Sequence, residues 1–388
     1  MLGWPILDET DWSRCFHAYA LATDTPEFLR EMVSTDSAVV YQALDHLDFA
    51  VLHQGTVYPA TAPTVRVLAG LLNEPHWRAE VDGATVLTRV LGFIGSAGES
   101  GTWVAPQTPC PIDQIDIDRF FELLATGDDS AWSYEGVAAE LMRRGVVALD
   151  GAADEIVVAL LPFVSDIDPA TRRAALGAVA SWAQLQGATN RRDEAIAAAR
   201  SAVTRPGRDE RATAVLALGD LSADTTPWLD DFDPAIRACA ALALPDDPRA
   251  TDELIGALTD PHGVDLWFED PPARFWGRVR FTLIDSLVSR GLPFERILPA
   301  AVAVAAVAHA MTANSDWGPL LQAAFPAVEF TPGVRPAPPA HLSDAQRTFL
   351  RALVANDSLW DERNGNANLA RMRVGLPKSR SEVAALAE

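Results

Sequence analysis

The chain has 388 residues, 49% of them hydrophobic but only 8% aromatic, and carries a formal net charge of −22. That balance argues against gripping nucleic acid phosphates or an anionic membrane, both of which need a basic surface, and it suits basic partners or cationic ligands. The three cysteines, Cys15, Cys110 and Cys239, form no C-x-x-C pair, and the acidic N-terminus lacks a signal-peptide pattern, so a reduced, cytoplasmic protein is expected.

In chain order, residues 11–34 read as one helix ending near Thr23-Asp24 and a second starting at Pro26. Thr35-Asp36-Ser37 opens another, with Val39, Val40, Ala43, Leu44 and Leu47 at helical spacing, running to about His53. A Gly/Pro turn over 54–63 precedes helices at 64–72 and 81–94. Residues 95–114, rich in Gly, Ser, Thr and Pro, read as a loop. Its glycines suggest a phosphate loop by content only, because no Lys follows at the required spacing. Helical spacing resumes at 118–125 and 131–144.

The clearest signal fills 154–259. Asp168-Pro169-Ala170-Thr171-Arg172 and Asp233-Pro234-Ala235-Ile236-Arg237 each join a helix-capping Asp to a Pro suited to the first helical position, then run into alanine. Asp209-Glu210-Arg211 opens a copy without the Pro. Arg172, Arg211 and Arg237 lie 39 and 26 residues apart, the irregular period of degenerate helical repeats. Small alanines let helices approach closely, and Ala240, Ala241 and Leu244 should share a face turned to a neighbour.

Residues 260–280 break the pattern with Trp267, Phe268, Phe275 and Trp276 among Asp265, Glu269, Asp270, Arg274, Arg278 and Arg280. Helices at 281–290 and 298–311 follow. The apolar run Leu298–Met311 is too short to span a bilayer, which takes roughly 18 residues or more. A Pro-rich crossing spans 326–339, and Ser343 caps a helix to Asn356. A polar loop and short helix fill 357–378. No strand-rich stretch is evident.

Ile236-Arg237-x-x-Ala240-Ala241-x-Ala243-Leu244 and Arg211-x-x-Ala214-Val215-x-Ala217-Leu218-Gly219 resemble the second-helix pattern of HEAT repeats, and the Arg172 copy is a looser match. The resemblance covers about 150–260. It implies an all-α, HEAT-like α–α superhelix, a solenoid of stacked antiparallel helix pairs. Such a chain would form one solenoid over 1–388: degenerate repeats over 1–150, the clearest over 151–260, then an insertion loop and C-terminal helices over 261–388. It also implies that Arg172, Arg173, Arg211 and Arg237 join neighbouring repeats in a ladder.

Three functions follow as expectations. The first is a binding scaffold of the bacterial type that takes a protein, peptide or small-molecule ligand in a concave groove, with Trp267, Glu269, Asp270, Trp276 and Arg278 at the site. The second is an atypical acid/base lyase or cyclase using Asp265, Glu269 and Asp270 beside the Trp side chains, with His53 and Tyr58 as further catalytic candidates. The third is an immunity protein for a toxin. No cofactor and no metal are expected: His46 and His53, seven residues apart, share a helix face, but zinc sites usually need four ligands and closer pairs, and no Cys partner is nearby.

Overall fold

A computed structural model describes residues 1–103, 109–326, 336, 341–361 and 363–388. The chain is all-α, with nineteen α-helices among the described residues. The sheet they contain is a two-stranded hairpin, Glu80–Val81 with Ala84–Thr85. None of their helices is long and apolar enough to cross a membrane. The fold divides into two compact units, one of residues 1–205 and 220–223, the other of 206–219 and 224–388.

In the first unit the expected helix over 11–23 is not formed. Trp12–Arg14 makes a 3-10 turn, and Phe16 bridges to Leu21. The backbone here bonds to distant segments: the Phe16 carbonyl accepts from the Ala60 N–H at 3.3 Å, and the Ala18 N–H donates to Ala50 at 3.1 Å. Those bonds seat Phe16, fully buried, edge-on against Phe120 and Trp132. A short helix does start near Pro26, over Thr25–Glu31, and the next runs from Ser37 to His46, with Asp36 accepting from the Ala38 N–H at 2.9 Å.

Residues 95–103 correct the loop reading. Helix Val86–Trp103 runs through them, and residues 104–108 of that stretch lie outside the described part. Gly95, Gly98 and Gly101 recur every three residues, so they form one smooth stripe along the helix. Helix Pro169–Ala183 lies against that stripe. A Cβ built on Gly98 would fall 2.6 Å from the Trp182 ring, and one on Gly95 3.3 Å from the Ala178 backbone. The glycines are therefore packing residues. Trp182 is fully buried over the stripe and donates its indole N–H to the Ile94 carbonyl at 2.7 Å.

The capped copies begin helices as expected at Asp168 and Asp233. Asp168 accepts from the Thr171 N–H at 2.8 Å, and Asp233 from the Ala235 N–H at 3.0 Å, each with Pro in the first turn. Their surroundings match in detail. The Asp168 N–H donates to Asp166, and the Asp233 N–H to Asp231, both at 2.9 Å. Arg172 donates to the Asp166 and Ile167 carbonyls, Arg237 to those of Asp231 and Phe232. Asp166 in turn takes a two-pronged bond from Arg78, while Asp231 pairs with Arg211. Arg172 and Arg237 thus brace their own turns, Arg237 also pairs at 3.0 Å with Glu253 on helix Pro248–Ala257, and Arg78 and Arg211 tie each turn to another element of the same unit. Asp209 differs: the helix starts at Arg208, so Asp209 lies in its first turn.

In the second unit Ala240 and Ala241 are fully buried and Leu244 half-buried. Helices Val279–Ser289 and Phe294–Val307 follow the irregular segment. Ser343 caps Asp344–Ala355 reciprocally with Gln346, at 3.2 and 2.8 Å. Of the Pro-rich crossing, residues 327–335 and 337–339 lie outside the described part. The 357–378 stretch holds helix Gly365–Arg373, and a helix the sequence reading missed, Arg380–Leu386, follows it.

Candidate functional site

The irregular segment is held from beneath by two devices. Asp260 accepts from the Gly263 N–H at 3.1 Å and starts a single helical turn, Pro261–Val264, which delivers Asp265 inward. Asp265 Oδ1 accepts from the Arg280 backbone N–H at 3.2 Å, and Oδ2 takes the Arg280 guanidinium and, at 3.4 Å, that of Arg278. Arg280 spans onward to Asp316 at 3.2 Å. Asp316 is fully buried and accepts from the Trp317 N–H at 2.7 Å; burial holds its carboxyl above the usual range. The oxygens of Asp265 are thus committed to a structural frame, carboxylate–guanidinium–carboxylate, rather than free to exchange a proton with a ligand.

The second device is aromatic. Phe268 and Phe275 are buried and stacked, with centroids 5.4 Å apart, and Trp267 meets Phe268 edge-on at 6.4 Å. The Phe275 N–H closes a turn onto the Pro272 carbonyl at 2.8 Å, and Gly277 takes a positive φ of 72° beside the Phe281 ring, a backbone shape that suits glycine. Arg208 donates to the Trp267 carbonyl at 2.9 Å, and the Asp270 N–H donates to Asp209 at 2.9 Å.

Of the sequence-derived site residues, the structure therefore separates two sets. Asp265 lies inside the frame and Trp267 is half-buried in the support. Glu269, Asp270, Trp276 and Arg278 are exposed, as is Leu266, which the sequence reading had not selected. Trp276 is 61% and Leu266 68% exposed, large values for apolar side chains on a segment pinned this firmly. A separate surface cleft of about 580 Å³ is lined by Leu287, Phe294, Ile297, Ala324 and Pro326, none of them in this segment.

His53 and Tyr58 belong to the first unit. His53 Nδ1 lies 3.3 Å from the Tyr19 hydroxyl, whereas Tyr58 packs edge-on against Phe16 at 6.1 Å, and burial raises its phenol above the ordinary value. His46 and His53 do not share a helix face. The α-helix ends at His46 and continues as a wider π turn, Leu47–Val51, before the 3-10 turn His53–Gly55, so seven residues no longer make two regular turns.

His46 meets His17 instead, with ring centroids 5.3 Å apart. His17 Nε2 lies 3.1 Å from Asp24 Oδ1, and Thr25 Oγ1 lies 2.9 Å from His46 Nε2. Phe28 stacks on the His46 ring at 4.2 Å. Burial lowers the His46 pKa to about 4 against an ordinary 6.5, an effect the Asp24 carboxylate opposes and His17 adds to. The unfolded chain therefore takes up this proton first. The neutral imidazole's contribution to stability is complete above about 6.5 and should be lost as pH falls from there toward about 4. Melting curves across that window should drop less steeply for His46→Gln than for the wild type; equal slopes would remove His46 from the acid response.

No protein-family profile matches the chain, and no curated protein does. Among solved structures, an engineered protein aligns over 94% of this chain and 97% of its own, at 13% identity and a TM-score of 0.25. A likeness at that score carries no argument about fold or function.

Proposed function

We propose that the chain is a helical-repeat binding scaffold of HEAT-like type that recognises a protein or peptide through the exposed rim of the 266–278 segment. The observation that carries this reading is that Leu266, Glu269, Asp270 and Trp276 are all exposed on one segment that other residues fix from within. Exposed Trp is the side chain most enriched at binding hot spots. A loop already ordered by its own core loses little freedom on binding. The repeat reading is supported by the matching hydrogen bonds around Asp168 and Asp233, a local unit built twice from the same parts.

The occupant proposed is a peptide segment that offers an apolar side chain flanked by Arg or Lys. The acidic chain, at −22, repels acidic partners and favours basic flanks. The commitment of Asp265 to two arginines favours this reading over an acid/base enzyme built on the same segment.

Selection of displayed peptides on the intact chain tests it. Basic–apolar peptides should be enriched, and Trp276→Ala should weaken their binding by about tenfold or more, as hot-spot truncations do. Enriched peptides that bind Trp276→Ala at full strength would place the interaction elsewhere.

A further inference from the structure

Histidine is scarce here, seven in 388 residues, yet three of the four in the first unit lie near one another. His46 touches His17, His17 lies 6.5 Å from the Tyr19 ring, and Tyr19 lies 5.4 Å from His53, centroid to centroid. Among them stands Asp24. One ligand-capable atom from each of His17, Asp24 and His46 lies within 4.8 Å of both others. We propose that these three residues bind a divalent transition-metal cation, with Zn2+ as the best-matched ion.

The donor chemistry is the first support. Two imidazoles and a carboxylate are a set that zinc accepts, and three protein ligands leave a fourth position open to water or to a ligand. Fe2+ uses the same three donors in another geometry, so the identity of the ion is itself a readable outcome.

The second support is what Asp24 does not do. It precedes helix Thr25–Glu31 in a helical backbone conformation (φ −84°, ψ −28°), unlike the extended one from which Asp168, Asp233 and Asp247 each cap their own helix. Asp24 makes no such cap bond. Its carboxylate turns to His17 instead.

The third support is the rigidity of the donors. The His17 side chain is only 4% exposed, and its backbone N–H donates to the Ala20 carbonyl at 3.1 Å. The His46 ring is held flat against the Phe28 ring. Leu29 and Met32, on and just past the same short helix, are fully buried. Asp24 is the open side, its side chain 49% exposed, and gives an ion its route in.

Binding has a definite local cost. The Tyr19 N–H now donates to His17 Nδ1 at 3.3 Å, so Nε2 carries the ring proton and faces Asp24. A metal at Nε2 requires that proton to move, through solvent, to Nδ1, and the long Tyr19 bond to break. The cation replaces the His17–Asp24 hydrogen bond with two coordinate bonds, and the charge of Asp24 remains to offset its own.

The test uses the intact chain stripped with EDTA. Zn2+ titration by calorimetry should give one equivalent bound per chain at micromolar or lower free metal. Co2+ in its place should produce the intense visible bands of four-coordinate cobalt. The surface carboxylates of so acidic a chain also attract cations, so the variants decide. Asp24→Asn and His46→Gln, at positions not fully buried, should each weaken binding by about tenfold or more and abolish the cobalt bands, with unchanged circular dichroism. His17→Gln should do the same, but its buried position makes the other two the deciding variants. Absence of a stoichiometric site, or Zn2+ binding equally tight in Asp24→Asn and His46→Gln, overturns the proposal.

Discussion

Gly98→Val should destabilise the first unit by about 1–3 kcal/mol or more, the cost of forcing atoms into a filled core. The new Cβ would stand 2.6 Å from Trp182 Cδ1 and 2.7 Å from Nε1. Trp182 has nowhere to retreat, because its ring is fully buried and its N–H is bonded to Ile94. Relief must come from parting the two helices, which would also open the contacts of Gly95 with Ala178 and Gly101 with Leu185. Gly92 on the same helix is the control: it is exposed and a Cβ there meets nothing within 4 Å. Gly92→Ala should therefore raise stability by up to about 1 kcal/mol through helix propensity alone. Urea unfolding of both variants measures the contrast. Equal effects at the two positions would mean that the glycine stripe is not an interface.

Arg280→Met should cost about 3–5 kcal/mol, the penalty for removing one partner from a buried ionic group. The methionine keeps most of the volume but leaves Asp265 and Asp316 facing each other's side of the frame without the guanidinium between them. Asp316 is fully buried, so water cannot replace the lost partner without opening the packing around Trp317. Beyond a lower melting temperature, limited proteolysis should find new cleavage between residues 266 and 277, because the Arg280 guanidinium helps tie Asp265, at the start of that loop, to helix Val279–Ser289. A variant as stable and as protease-resistant as the wild type would show that the Phe268–Phe275 stack alone holds the segment.

The parts legible in the sequence are those that a few neighbouring residues decide. Asp168, Asp233 and Ser343 each satisfy backbone N–H groups within three positions, so the D-P and S-x-x-Q patterns located their helix starts. The all-α class followed from helical spacing over long stretches. Gly95–Gly101 was misread because glycine marks both turns and close helix contacts, and only the presence of Trp182 across the interface tells them apart. The helix expected over 11–23 failed for a related reason: Phe16 and Ala18 find backbone partners at Ala60 and Ala50, which no local pattern announces.

The candidate sites divide in the same way. The density of aromatic and charged residues over 262–280 was visible, but not that Asp265 faces Arg280 and Asp316 while Trp276 faces out. The His17–Asp24–His46 cluster lay beyond local reasoning altogether. Its members are 7 and 22 residues apart along the chain, and the π turn after His46 removes the helical partner, His53, that spacing had suggested.

The most direct measurement of the central claim pairs affinity with stability across the 266–278 segment. Peptides selected on the wild type would be titrated into Trp276→Ala, into the Glu269→Gln, Asp270→Asn double variant and into Arg280→Met, each with its melting temperature. The first two should lose binding with only a small change in melting temperature, because their side chains are mostly exposed; Arg280→Met should lose stability first. Full affinity in both rim variants, or a loss of affinity that merely tracks a loss of stability, would contradict the account.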